Sequence, residues 1–569
     1  MARPRIAVFS GPTATIGNSP PLVTSDKARA QYGLPALTTP DGASPRFDLL
    51  RPQRIAAPVT VYVEAYTAHP LEKDAIELYS APDGWLDAQG AFSESEPADG
   101  GTPVYVLTIS PEDGLYPLPY MARQADGSPW EDATTHPFAA VGSSRQTFYP
   151  DASRIYEEID RLGVGGDGNP VVLSNAVDFD FYRAAPPGGY TKGLPAGSRT
   201  DTGEGDISPE SLGEDYYIYY PHHLSREPTL TALVRATNMV QNALSGGDYI
   251  GAQWLEGSPT TEESMYWLGL VIDTTVPLVG HAAQRPHQTL SADGDRNIVD
   301  GVKFITSGAA IDDTGRDRIG SVMVVDEMVY SAREVTKVDA RPGGYEVAGG
   351  HGGVVADMGG YGPPQVTYVP NRKHTYRSEV RLTALPGTVT GVTGSLRDGV
   401  ATVEVPVKDA RGDLLASAMP LVTITKYSRY SPLETGPKED PDPAGEVEII
   451  ARIASNLIAA PLSGFVGEGM SPYGSANPTT NAALQVAIFS GMPVVRVGRG
   501  NTGGMAYKQD PLFIAGNNLT STKARILLMA ALLKLGALPP AADPYNPTAD
   551  EIAAVLELTR QYQEIFDTH

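Results

Sequence analysis

At 569 residues, with 41% hydrophobic and 19% charged side chains, the chain is long enough for two to four soluble globular domains. Its 43 basic and 67 acidic residues leave a net charge of −24, a surface that repels phosphate backbones and anionic membranes and argues against nucleic-acid and membrane partners. The lack of cysteine excludes disulfides, thiolate metal sites and cysteine nucleophiles.

"RIAVFSGPTATIG" reads as a buried parallel strand running into a Gly/Pro/Thr-rich loop. No signal-peptide core precedes it and no apolar run reaches roughly 18 residues, so the cytoplasm is the expected location. From about 30 to 165 the texture changes to short alternating runs such as "VTVYVEAY" and "TPVYVLTIS" among Pro, Gly, Asp and Ser, the pattern of a β-rich insertion. An irregular Gly/Pro-rich stretch follows at 186 to 215.

Regular alternation then returns. "TLTALVRATNMVQNAL" is a helix, "YIGAQWL" a strand, "EESMYWLGLVI" a helix, "VPLVG" a strand, "RNIVDGVKFITSG" a helix and "IGSVMVVDEMVYS" a strand with its exit loop. Strands separated by helices of this size imply βαβ units and a mainly parallel sheet. "GGHGGVVADMGGYGPP" (349–364) reads as a flexible loop. A second β-rich stretch precedes the Pro- and acid-rich "SPLETGPKEDPDPAGE", and α/β alternation closes the chain with "GFVGEG", "TTNAALQVAIFSG", "PVVRVG" and "TSTKARILLMAALLKLG". The expected organisation is an α/β domain over 1–375 carrying the insertion at about 30–165 and the loop at about 186–215. A β-rich insertion over 376–430, a linker over 431–447 and a second α/β domain over 448–569 follow.

Three polar spots sit at strand exits, where open α/β sheets bind ligands: Thr13 in "SGPTAT", the cluster Ser258 to Thr261 in "EGSPTTEES", and Lys337 in "SAREVTK". Each has a plain structural reading. Thr260 and Glu263 have the spacing of a capping box, with Pro259 in the first turn, and a lysine after a strand is more often solvated than catalytic. The adjacent histidines of "YYPHHLS" lack metal-ligand spacing, "GVGGDGNP" lacks the ending of a phosphate loop, and "EDYYIYYP" fits a packed or edge strand. No metal or cofactor is expected.

The order of these segments resembles the bacterial-type L-asparaginase/glutaminase superfamily. That family opens with a strand and "TGGTIA", carries "HGTDTMEET" before a helix, then "RPxxxxSADG", "GRDVTK", a Gly/Asn-rich turn and a "KARxLLMLAL"-like helix. Here "SGPTAT", "EGSPTTEES", "RPHQTLSADGDRN", "SAREVTK", "GEGMSPYGSAN" and "NLTSTKARILLMAALLKLG" follow in the same order. The likeness covers about 330 residues and implies an asparaginase-like two-domain α/β fold with mainly parallel sheets, plus β-rich insertions.

The resemblance also implies roles. Thr13 matches the nucleophile, Ser258 the second-site threonine with its hydroxyl kept, and Lys337 the second-site lysine; Thr260 joins them as a catalytic candidate from the same cluster. Pro259 stands where the family has an aspartate, Glu256 where it has a histidine, and Pro12 replaces the second glycine of the first motif. Ser174, Asn175 and Asp178 are candidates for the segment that binds the substrate carboxylate, with Glu256 and Pro259 at the same substrate-facing motif. Tyr32 is a nominal match to the family's mobile-loop tyrosine.

A site that loses a carboxylate changes its substrate preference. The expected activity is therefore hydrolysis of an amide other than free asparagine, substituted, larger or cyclic. The alternatives are transfer to an acceptor other than water, plain L-asparaginase or glutaminase activity, and an inactive binding protein of the same fold. A homo-oligomer, dimer or tetramer, is implied by the family's habit.

Overall fold

The computed structural model describes residues 3–14, 22–24, 48–54, 59–63, 82–87, 92–109, 115–119, 155–156, 159–160, 171–183, 229–258, 260–285, 291–347, 352–359, 362–427, 441–471, 473–499 and 506–569. Tyr32, Pro259, the paired histidines, "EDYYIYYP" and "GVGGDGNP" lie outside them. The chain forms two compact units: Met1–Ala14, Val164–Ala184 and Glu227–His569 make one, and Thr15–Gly163 with Ala185–Arg226 make the other. In the second unit, antiparallel sheets join Leu22–Thr24, Asp48–Arg54 and Leu115–Pro119, and join Val59–Val63, Thr102–Ile109, Gly84–Leu86 and Phe92–Ser93.

The first unit is a mixed α/β structure around a largely parallel sheet. β1 (Arg5–Ser10) is buried from Ile6 onward on both faces, as a central parallel strand must be. It pairs in parallel with β2 (Asp178–Arg183) on one side and β3 (Gly251–Leu255) on the other. β4 (Leu278–His281) and β5 (Val322–Val325) extend the parallel run.

The sheet then turns antiparallel. "IGSVMVVDEMVYS" is two strands, not one: β5 reverses into β6 (Met328–Ser331) through Asp326 and Glu327, with φ of 50° and 63°. Two positive angles in a two-residue turn give the twist that a tight hairpin needs, and neither residue is the glycine that would have announced it. β7 (Val335–Lys337) and β8 (Tyr345–Val347) form a separate ribbon. The glycine-rich segment read as a loop contains β9 (Val354–Asp357), antiparallel to β6, because Val355 and Ala356 are fully buried between the flanking glycines. β10 (Gln365–Val366) ends this edge.

β11 (Thr388–Ser395) and β12 (Gly399–Pro406) make a hairpin. β13 (Leu421–Lys426), in the stretch grouped by sequence with that hairpin, pairs in parallel with β14 (Ser463–Gly469); β15 (Val494–Gly498) and β16 (Ile514–Ala515) complete a second parallel sheet.

Among the described residues of this unit, seven α-helices surround the sheets: α1 (Leu230–Leu244), α2 (Thr260–Val271), α3 (Gly294–Thr306), α4 (Val447–Ala459), α5 (Pro478–Phe489), α6 (Ser521–Leu535) and α7 (Ala549–Thr568). α1, α3 and α4 bury one stripe each, the usual pattern for a helix covering a sheet. α2 and α6 are buried nearly throughout, their charged residues Glu262 and Lys523 included. They are tied by Lys523 of α6, whose Nζ donates to the Glu262 carbonyl and, at 2.7 Å, to the Ala332 carbonyl. Arg525 of α6 reaches Glu263 of α2 at 3.2 Å. That contact corrects the expected capping box: α2 begins at Thr260 itself, and the Glu263 carboxylate turns to Arg525 instead of back to the helix start. No helix among the described residues is long and apolar enough to cross a membrane.

Candidate functional site

β1 and β3 are parallel neighbours with Ser10 opposite Leu255, so their carboxyl ends open at the same level. The Gly11 N–H donates to the Leu255 carbonyl at 2.8 Å, and the Ala14 N–H to the Gly11 carbonyl at 3.0 Å, which curls the loop so that Thr13 turns back over β3. Gly257 closes the gap from the other side. A Cβ there would stand 3.0 Å from the Thr13 carbonyl oxygen and 3.2 Å from Thr13 Oγ1. The first and second motifs therefore touch.

Glu256 fills the floor of this junction. It is 5% exposed, and its Oε2 accepts from Trp254 Nε1 at 2.9 Å. Burial raises its pKa above the ordinary carboxyl value; hydrogen bonds from the Ser264 hydroxyl, Trp254 and the backbone N–H and hydroxyl of Thr13 act against that rise. The contact with Thr13 is close but loose. Thr13 Oγ1 and Glu256 Oε1 are both buried, and neither completes a well-aligned hydrogen bond. Gly11 makes the room: a Cβ on it would come within 2.7 Å of both Glu256 Cδ and Trp254 Cζ2.

Ser258, two residues on, is half-buried, with Oγ 2.6 Å from the Tyr345 hydroxyl. Tyr345 is 1% exposed, and its pKa is pushed up to about 12, first by burial and then by the charges of Glu262, Asp293 and Glu256, with the Ser258 bond opposing. Tyr345 stands directly opposite Lys337 in the β7–β8 ribbon, so the two side chains share one face of it. The Lys337 backbone N–H donates to Glu262 Oε2 at 2.6 Å, which pins the ribbon to α2. Its ammonium has no hydrogen bond or ion pair among the described residues. Burial raises the pKa of Glu262 too, with Lys523 opposing, and burial lowers that of Lys523 to about 8.

The fold thus brings together Thr13, Glu256, Ser258 and, through Tyr345, Lys337. Thr260 is half-buried at the start of α2, and Pro259 lies outside the described residues. Ser174, Asn175 and Asp178 are placed elsewhere. Asp178 pairs with Arg5 in the β1–β2 register, five residues before Ser10, so this segment sits roughly 16 Å from the strand ends that carry Thr13. Asp178 is ion-paired with Arg3 at 3.4 Å. The cause is topology: the 3-10 turn Leu173–Asn175 precedes β2 and does not follow it.

Sequence reasoning passed over Tyr345, Glu262 and Trp254. Tyr345 carried no local signal, since only the ribbon pairing sets it against Ser258. The aspartate of "SADG" proves to be a loop staple: Asp293 accepts from the backbone N–H groups of Gln284 and Arg285 at 3.0–3.1 Å. Asn297 likewise donates to the Ala282 carbonyl at 2.9 Å and accepts from the Asp326 N–H at 3.0 Å.

A family model described as "Asparaginase, N-terminal" matches residues 212–342. L-asparaginase 2 of Bacillus subtilis (strain 168) is 26% identical over 311 residues, covering 53% of this chain and 66% of its own length. The glutaminase-asparaginase of Acinetobacter glutaminasificans is 28% identical over 132 residues, 23% of this chain and 37% of its own. An L-asparaginase of Bacillus licheniformis is 33% identical over 162 residues, 26% of this chain and 48% of its own. The chain thus spans less than two thirds of the length of each of these relatives.

Proposed function

Since the chain belongs to the L-asparaginase/glutaminase superfamily, we propose that it is an amidohydrolase in which Thr13 attacks the carbonyl carbon of an amide other than free asparagine. The observation that carries this reading is the convergence of Thr13 with Gly257 and Ser258 at the carboxyl ends of β1 and β3. A neutral threonine needs a neighbouring base or hydrogen-bond relay to become nucleophilic, and the buried Oγ1 of Thr13 has the Glu256 carboxyl beside it. Ser258, steadied by Tyr345, and Lys337 on the same ribbon face form the second hydroxyl–lysine group.

The substrate is argued from what differs. Pro259 supplies neither the carboxylate nor the N–H of the aspartate it replaces, and the segment proposed to hold a substrate carboxylate lies at the other end of the sheet. A substituted, larger or cyclic amide makes no demand for either group.

The test is a panel of asparagine, glutamine, N-substituted amides, lactams and cyclic imides, followed by ammonia or carboxylate release. The native protein is compared with Thr13→Ala and Lys337→Ala. Turnover of a non-asparagine amide, lost in both variants, is the expected result. Equal turnover in native protein and Thr13→Ala overturns the nucleophile assignment; no turnover of any amide favours a binding protein of asparaginase fold, the reading that Pro259 supports.

A further inference from the structure

We propose that Glu256 is the proton acceptor that activates Thr13, taking over at a new position the carboxylate function lost at Pro259. The assignment rests on the amidohydrolase reading for its chemistry, but its geometry is independent of the substrate. Three observations meet. The carboxyl of Glu256 lies against both the backbone N–H and the hydroxyl of Thr13. The two oxygens that would exchange the proton, Thr13 Oγ1 and Glu256 Oε1, are the buried ones left without a completed bond. The other oxygen, Oε2, is anchored by Trp254 Nε1 at 2.9 Å, which orients the carboxyl and leaves Oε1 as the oxygen without a bond.

The packing is built for this placement. Only the missing side chain at Gly11 admits the carboxyl, since a Cβ there would overlap Glu256 Cδ at 2.7 Å and Cγ at 2.9 Å. Gly257 in turn lets Thr13 settle onto the strand exit. A glutamate kept only for stability has no need of an unpaired oxygen beside a hydroxyl. Isolated buried carboxyls are costly unless their oxygens are satisfied. Burial also raises the proton affinity of Glu256, which makes it a better base for an alcohol than an exposed carboxylate would be.

The chemistry balances without a co-reactant other than water. The ionised Glu256 takes the Thr13 hydroxyl proton as Oγ1 bonds to the amide carbon. The C–N bond breaks as the protonated Glu256 returns that proton to the leaving nitrogen, and an ester to Thr13 remains. Glu256 then takes a proton from water as its oxygen adds to the ester carbon. Thr13 regains the proton as the C–O bond breaks, releasing the acid.

The test reads the first half-reaction apart from the amide. Native protein, Glu256→Gln, Glu256→Asp and Thr13→Ala are incubated with p-nitrophenyl acetate from pH 4 to 9. Acylation of Thr13 is followed by intact mass, peptide mapping and nitrophenolate release. The expected result is a native acylation rate that rises with pH through one inflection above the ordinary carboxyl value of 4.5. Glu256→Gln should acylate at least about 100-fold more slowly with the inflection gone, and Glu256→Asp should keep the inflection at an intermediate rate. Acylation in Glu256→Gln within about threefold of native, or none at Thr13 in the native protein, overturns the assignment. If Glu256→Gln does not fold, a native profile without the inflection does so too. A silent amide panel alongside Glu256-dependent acylation would instead sink the amidohydrolase reading and leave Glu256 as the acceptor.

Discussion

Gly11→Ala probes the junction of the first two motifs by space alone, because the φ of Gly11 lies outside the left-handed region and no backbone strain is involved. The added Cβ would stand 2.7 Å from Glu256 Cδ and 2.7 Å from Trp254 Cζ2, where carbon contacts normally settle at about 3.5–4.0 Å. About 1 Å of displacement is therefore needed. Neither neighbour is a loose chain end: Trp254 is 2% exposed, Glu256 5%, and the two are bonded to each other. Overpacking of this kind costs about 1–3 kcal/mol, and weakening a bond to a carboxylate adds about 1 kcal/mol or more. We expect a loss of about 2–4 kcal/mol, read from urea unfolding followed by tryptophan fluorescence. In a Glu256→Ala background the same substitution should cost at least about 1 kcal/mol less, since one of its two obstacles is gone. A change below about 0.5 kcal/mol, or an identical cost in both backgrounds, would refute the reasoning.

Tyr345→Phe should cost about 1 kcal/mol through the loss of one buried hydrogen bond, and should lower turnover by about 10- to 100-fold as Ser258 loses its support. Unchanged turnover would detach Ser258 from the reaction. His281 is fully buried, its pKa lowered to about 4 by burial, with Nε2 2.8 Å from Gln253 Nε2. A base with a depressed folded pKa gives stability that is complete above the unfolded value of 6.5 and falls away toward pH 4. Relative to His281→Asn, the native protein should lose about 3 kcal/mol over that window; parallel pH curves would contradict it. Lys523, lowered to about 8 from 10.5, has the same sign at higher pH: its charged form is disfavoured in the fold, so stability rises between those values. The native protein should gain up to about 3 kcal/mol there that Lys523→Met does not show, checked by urea midpoints at pH 7.5 and 10.5.

The sequence is most readable where one signal has one physical cause. Continuous apolar runs ending in polar loops mark β1 and β3, because strands buried on both faces admit little else. The same logic places Thr13 and Ser258 at strand exits. What stays hidden depends on pairing between distant segments. Asp326 and Glu327 reverse the chain without glycine, so β5 and β6 read as one strand. Ser174, Asn175 and Asp178 have suitable side chains, but only the register with β1 shows that they face the wrong end of the sheet. Glu256 looked like an ordinary departure from a motif. Its burial beside Thr13 arises from Gly11, 245 positions away in the chain.

The second compact unit departs from the first directly after Ala14, the neighbour of the proposed nucleophile, and the chain returns to the first unit at Val164. Lengthening a connection from about ten residues to the span 15–163 costs only about 2 kcal/mol in closure entropy, since that entropy grows with the logarithm of length. A whole extra unit is thus thermodynamically cheap to acquire at this point. Its kinetic burden falls elsewhere. Thr13 leaves the ribosome more than 200 residues before Glu256 and Ser258, so the junction that shields its hydroxyl can assemble only after nearly half of the chain has been made.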